Sequence, residues 1–362
     1  MIEKNSEVAT GKESYLKSVK TKVFALVALG IILVILSFVV LNIDLKYVTY
    51  GDMFRVLFGE KVDSIPTSTY ILVENVYLPR LLAGIVAGFA LGLAGTVMQC
   101  VLRNPLGSPY TLGVSNAAAF GASIAIVIVD VGIGGTMRYA DHSGFTAVMA
   151  FIFAMLATGI IIALVKVTRV DPSTMVLAGV AISSIFSAGI SFMQYIFSTD
   201  ALADIVFWQF GSLGKPSMEN IILMAVILVP IFIYFFRNRW DYNAIDSGDE
   251  VATSLGINVP LTRIVALILC SLLTAVVVSF MGIVAFIGLV APHMVRLVMG
   301  NDHRFLIPGS MLVGAMVLTI SDCIGQNLFI TTIPVGIITS FLGGPLFLYL
   351  LISSYRNKNR RR

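Results

Sequence analysis

Few residues in this chain can do chemistry: among 362 there are 24 lysines and arginines, 20 acids, three histidines and three cysteines. Ser321-Asp322 places a carboxylate close to the outer end of an apolar run. An ionisable group at membrane depth signals a function by default, but near the outer end of a span it can simply reach water. His293 follows Pro292 and has no ligand partner nearby in sequence, so it reads as a structural hydrogen bonder rather than a metal ligand or proton relay. Cys100, Cys270 and Cys323 lie in or at the end of apolar runs, with no metal-ligand spacing between any two. Packing is their expected role, and no metal site is expected. Gly11-Lys12 and Gly214-Lys215 are followed by Glu13 and Pro216 and lack the earlier glycine of a phosphate-binding loop. No paired carboxylates, metal-binding helix motif or nucleophile with a base occurs in the apolar runs. An enzyme is not the expectation.

The elements that must carry these residues follow from composition. Hydrophobic residues make up 57% of the chain and charged residues 12%, against about 25% charged in soluble domains, so the chain reads as an all-α integral membrane protein. A hydrocarbon core of about 30 Å takes about 20 helical residues. Ten apolar runs come close to that: 23–43, 80–102, 111–131, 145–165, 174–197, 220–236, 263–280, 283–299, 305–324 and 334–354. The first follows mostly polar sequence and exceeds a signal h-region, so it is expected to stay as an anchor. This gives a polar tail 1–22, a transmembrane domain 23–355 and a basic tail 356–362. With both termini cytoplasmic, all but six of the 24 basic residues fall inside (Lys46, Arg55, Lys61, Arg80, Arg138 and Lys215 are outside). That asymmetry fits the positive-inside rule, and the net charge of +4 reflects topology rather than nucleic-acid binding.

The longest polar interruption, the cytoplasmic strip 238–262, separates the two apolar halves. Within it Asp246 to Gly256 (DSGDEVATSLG) reads as a short helix capped by Ser247 or Asp249 and stopped by Gly256, with surface to offer a partner. In the second run Gly84, Gly88 and Gly92, with Gly95 near the same face, allow close helix approach. Arg103-Asn104-Pro105-Leu106-Gly107-Ser-Pro109 forces an irregular inner turn of fixed shape, a second inner-face contact for a partner. Val170-Asp171-Pro172-Ser173 starts a helix on which Ser184, Ser187, Ser191 and Gln194 share a stripe, lining a wet path or bonding neighbouring helices. Residues 200–214 are too short to span and read as an interfacial helix with Trp208 at headgroup level. Gly343-Gly344-Pro345 is expected to break the last span, and Pro230 to kink the sixth. Five spans per half would make two similar halves inverted relative to each other, although no repeat is evident.

Taken together, several stretches resemble the permease subunits of type II ATP-binding-cassette importers for iron-siderophores, haem and cobalamin, the FecCD/BtuC type. They are Leu78-Pro79-Arg80 to Gly84; Gly95-x-x-x-Gln99-x-x-x-Arg103-Asn104-Pro105-Leu106 with Pro109 and Leu112-Gly113; and Trp208-x-x-Gly211-Ser212-Leu213. Further on come Gly248-Asp249-Glu250-x-Ala252-x-x-Leu255-Gly256, Gly282 to Arg296, and Pro334-Val-Gly336 with Gly343-x-Pro345. The resemblance implies a ten-span fold, a homodimer or a pair with a paralogous permease, two cytoplasmic ATPase subunits and an extracytoplasmic binding protein. ATP and magnesium would belong to the partner, and this chain would bind no cofactor. Asp249, Glu250, Ala252, Leu255 and Gly256 match the helix that couples to the ATPase, and Arg80 matches an outward basic residue that docks the binding protein. Tyr77, Gln326 and Ile333 depart from the family pattern, standing where relatives carry arginine, arginine and an acid. An ion-coupled secondary transporter is the main competing reading; it would need carboxylates at the midplane, whereas Asp130 and Asp322 sit near outer ends.

Overall fold

The computed structural model describes residues 2–44, 48–57, 62, 65–130, 139–168, 172–197, 199–328 and 330–360. Lys46, Lys61, Arg138, Arg169 and the Val170-Asp171 helix start lie outside the described residues. Regular structure among the described residues is helical throughout. In chain order the helices are α1 (Ile2–Asp44), α2 (Tyr50–Leu57), α3 (Thr67–Leu72), α4 (Leu78–Val101), α5 (Val114–Ile128), α6 (Tyr139–Thr168), α7 (Pro172–Ile196) and α8 (Thr199–Gln209). They continue with α9 (Met218–Arg237), α10 (Arg239–Ser247), α11 (Asp249–Ser254), α12 (Val259–Met281), α13 (Ile287–Met299), α14 (His303–Asn327) and α15 (Val335–Arg360). A π-turn over Val73–Tyr77 joins α3 to α4.

Seven helices are long and apolar enough to cross a bilayer, while Val114–Ile128, Ile287–Met299 and Val335–Tyr349 are shorter apolar helices at three of the ten predicted positions. The eighth run is shortened because Gly282 (φ +80°) and Phe286 (φ +66°) hold the residues between them outside helical geometry. The predicted polar tail is not separate from the first span, since α1 begins at Ile2 and runs through both. Gly343-Gly344-Pro345 does not break α15. Gly343 instead makes room for the side chain of Phe286, which a Cβ there would strike.

At the centre stands α4, whose residues from Ala87 to Val101 are nearly all buried against α14, α13, α12 and α9. The expected glycine stripe is what lets it in. A Cβ on Gly88 would collide with the Ala315 backbone, one on Gly92 with the Ser310 carbonyl and one on Gly95 with Gly288. Around α5 gather α6, α7, α8 and α12, with Phe120, Phe153 and Phe186 in mutual ring contact at 5.4–6.5 Å. Here the interfacial reading of Trp208 fails: its ring is 8% exposed and packs in a core with Val114, Ile205 and Val278. The residues after α8 tie remote segments together, Ser212 N–H donating to Met281 O at 2.8 Å and Gly336 N–H to Phe210 O at 3.0 Å.

Gly92→Leu should therefore cost about 1–3 kcal/mol or more through overpacking and abolish a monodisperse peak in detergent. Gly159→Leu, where a Cβ meets nothing within 4 Å, should leave both peak and melting temperature unchanged.

Candidate functional site

The polar strip folds into two short helices, α10 and α11, that meet at Gly248. α10 buries Tyr242 and Ile245 completely, Tyr242 meeting the Phe235 ring at 5.9 Å. Gly248 (φ +134°, ψ +146°) then turns the chain into α11. The cap predicted at Ser247 or Asp249 is absent: Ser247 Oγ donates back to Asn243 O, and the start of α11 has no side-chain cap. The stop at Gly256 is as expected, with φ +85°, Ile257 N–H reaching Ala252 O at 3.1 Å and Gly256 N–H reaching Thr253 O at 2.9 Å, a Schellman ending.

Asp249 does not face outward as a free contact. Its carboxylate takes Arg263 Nη2 at 3.2 Å and Arg103 Nη1 at 3.6 Å, while Arg263 Nε donates to Val101 O at 2.7 Å. One arginine thus ties the end of α4 to α11. Arg103 is 44% exposed, so its pair with Asp249 serves orientation more than stability, whereas Arg263 is largely buried at 14%. Ala252, expected in the contact surface, is fully buried and anchors α11 to the bundle. What remains on the outside is Glu250, Val251 and Leu255, the last 68% exposed at the tip. Arg103 (φ +47°) reaches Asp249 at the start of α11, and Asn104 Oδ1 accepts from Leu106 N–H at 2.9 Å to fix the turn that carries Arg103, Asn104 and Pro105. The two segments expected to meet a partner are thus joined by the Arg103–Asp249 pair.

At the opposite end of α4, Arg80 donates through Nε and Nη2 to both oxygens of Asp322 at 2.8 and 2.9 Å, and Gln326 Nε2 donates to Asp322 Oδ2 at 2.7 Å. The side chains are 17% and 7% exposed, so Asp322 does not reach water freely and Arg80 is engaged inside the chain. Gln326, in a position expected to hold arginine, completes the carboxylate's shell.

With this geometry in view, comparison with known proteins is decisive. The FecCD transport family profile matches residues 29–353. The chain belongs to the FecCD transport family. A permease protein of Methanocaldococcus jannaschii is 41% identical over 95% of this chain and 98% of its own length. The hemin transport system permease of Yersinia pestis is 34% identical, covering 77% of this chain and 82% of its own. A cobalamin import system permease of Halobacterium salinarum is 33% identical over 79% and 75%. Among solved structures, an inward-facing metal-chelate-type ABC transporter superposes with a TM-score of 0.75 at 27% identity, covering 91% of this chain and 99% of that one.

On this FecCD permease Ser184, Ser187 and Ser191 are exposed along α7 and Gln194 is half-buried. Ser184 and Ser191 Oγ donate to backbone carbonyls one turn back, Val180 O at 2.9 Å and Ser187 O at 3.1 Å, so no neighbouring helix takes those two hydroxyls. The sequence reading missed Arg263, visible there only as a topology-setting charge. It also missed Asn243, whose Oδ1 accepts from the His303 N–H at 2.8 Å and ties α10 to the start of α14. The histidine that meets other ligand-type side chains is His303 rather than His293.

Breaking one side of a buried pair costs on the order of 3 kcal/mol or more. Arg80→Glu should lower the melting temperature of the detergent-purified chain by several degrees, and the exchange Arg80→Glu with Asp322→Arg should recover most of it. A melting temperature unmoved by Arg80→Glu would remove the pair from the forces holding α4 to α14.

Proposed function

We propose that the chain is the membrane-spanning permease subunit of an ATP-binding-cassette importer that moves an iron(III)-siderophore-type metal chelate across the cytoplasmic membrane. The observation that carries this is α11: a short helix fixed from behind by Asp249, Arg263 and Ala252, with Glu250 and the apolar Leu255 projecting from its tip. An exposed leucine on a braced helix, beside Arg103 and Pro105, suits insertion into a groove of a partner protein. This family member has no phosphate-binding loop of its own, so ATP and magnesium would be held by two partner ATPase subunits.

In this reading the ten apolar helices all serve as spans, both termini are cytoplasmic, and two copies, or this chain and a paralogue, flank the substrate path. Ser184, Ser187, Ser191 and Gln194 would line it, and their exposure on α7 supports that placement. Partner ATPases closing on ATP would pull on α11, and the two subunits would rock to open the path to each side in turn. An extracytoplasmic binding protein would dock at the Arg80 end, where an acid on that protein has to compete with Asp322 for the guanidinium. The metal-chelate assignment rests on the solved relative and the hemin permease. Cobalamin is the second reading, favoured by the 33% identity to a cobalamin permease.

Leu255→Glu should leave the chain folded, because the residue is 68% exposed, yet reduce co-purification with the cognate ATPase about tenfold or more and abolish ATP-dependent uptake of ferric chelate. Uptake and assembly at the level of the unaltered chain would remove α11 from the contact. Among substrates, the cognate binding protein should retain a ferric siderophore and not cobalamin.

A further inference from the structure

Where α4, α10 and α14 meet, three ligand-type side chains from distant parts of the sequence converge. Cys100 Sγ, an Asp246 carboxylate oxygen and a His303 ring nitrogen all lie within 4.8 Å of one another. His303 Nδ1 is 3.7 Å from Asp246 Oδ2 and 3.0 Å from Asn243 Oδ1. In a tetrahedral site with metal–ligand bonds of 2.0–2.3 Å, neighbouring ligand atoms are about 3.3–3.8 Å apart, so adjustments of the order of an ångström at most bring the three into place. Cys100 and His303 are 1% and 0% exposed, whereas the Asp246 side chain is 27% exposed and gives a path from solvent. The ring is also only half satisfied: Nδ1 is the nitrogen turned to Asp246 and Asn243, while His303 Nε2 is buried with no hydrogen-bond partner among the described residues.

We propose that Cys100, Asp246 and His303 form a binding site for a borderline divalent transition-metal ion of the zinc, cobalt or iron(II) class. Mixed sulfur, nitrogen and oxygen donors select such ions over magnesium and calcium. Thiolate and carboxylate neutralise the dication, and the thiol proton leaves to solvent on binding. Asn243 Oδ1 or a water fills the fourth position, and Asn243 also fixes the histidine through its backbone N–H. The bound ion fastens α10, and through it α11, to the ends of α4 and α14. Resting on the importer reading, the site would make the grip of the ATPase responsive to the metal level on that side of the membrane.

Cobalt(II) titration of the full detergent-purified chain tests this without reference to transport. The expected result is a thiolate-to-cobalt charge-transfer band, displaced by zinc, and absent in Cys100→Ser. Asp246→Asn, at a partly exposed position that keeps the fold, should weaken cobalt binding about tenfold or more. No band in the unaltered chain, or a band that persists in Cys100→Ser, overturns the site. In the assembled transporter, zinc should change ATP hydrolysis for the unaltered chain and not for Asp246→Asn; identical responses overturn the regulatory role while the importer reading stands.

Discussion

Helices dissolved in lipid gain little from hiding apolar side chains from each other, so close backbone approach has to supply the contact that orders the bundle. In this permease that contact is the stripe Gly88, Gly92 and Gly95 on α4, set against Ala315 and Ser310 of α14 and Gly288 of α13. Dispersion at such short range is lost with any added methyl group. The same alignment carries both ends of α4. It sets Arg80 opposite Asp322 at one end, and at the other it brings Cys100 to the start of α14 and the end of α10, and Val101 to Arg263 of α12. A shift of one turn along this seam, about 5.4 Å, would unpair the ions and withdraw the carbonyl that holds Arg263.

At the α11 end, residues that hold the helix are separate from residues left exposed on it. Asp249 and Ala252 look inward, the first to two arginines and the second into the core, so the orientation of α11 is fixed before any partner arrives. Leu255 and Glu250 look outward and carry no internal load. A lever needs this division, because force applied at a soft tip would be spent bending the helix rather than moving the spans behind it. The charge network continues sideways: Asp302 caps α14 and accepts from Asn243, Arg304 pairs with Asp302 and meets the Tyr15 hydroxyl at 3.1 Å, and Arg304 stacks on Trp240 at 4.7 Å. Through it α1, α10 and α14 are joined at the end that presents α11.

Class, approximate helix order, the glycine seam and the Gly256 stop were all legible from the chain, because apolar run length, small-residue spacing and the positive-φ preference of glycine act over a few residues. So was the family, through motifs whose meaning lies in their joint occurrence. The interfacial reading of Trp208 failed because burial depends on α5, more than 70 residues away in sequence, and no local signal reports that. Likewise the glycines near Pro345 looked like a break, when their role is to admit Phe286. Among the described residues seven helices are long and apolar enough to span, and α13 is short because Gly282 and Phe286 hold the residues before it outside helical geometry.

The sequence by itself determined that the chain lives in a bilayer and that its polar strip stands between two apolar halves. Only the tertiary structure decided that Asp249 braces rather than touches, that Arg80 is shared with Asp322, and that Cys100, Asp246 and His303 form one group. The physical reason is separation along the chain. Hydropathy and turn chemistry are local and can be read residue by residue, whereas an ion pair across 242 positions exists only once packing has chosen which helix ends are neighbours.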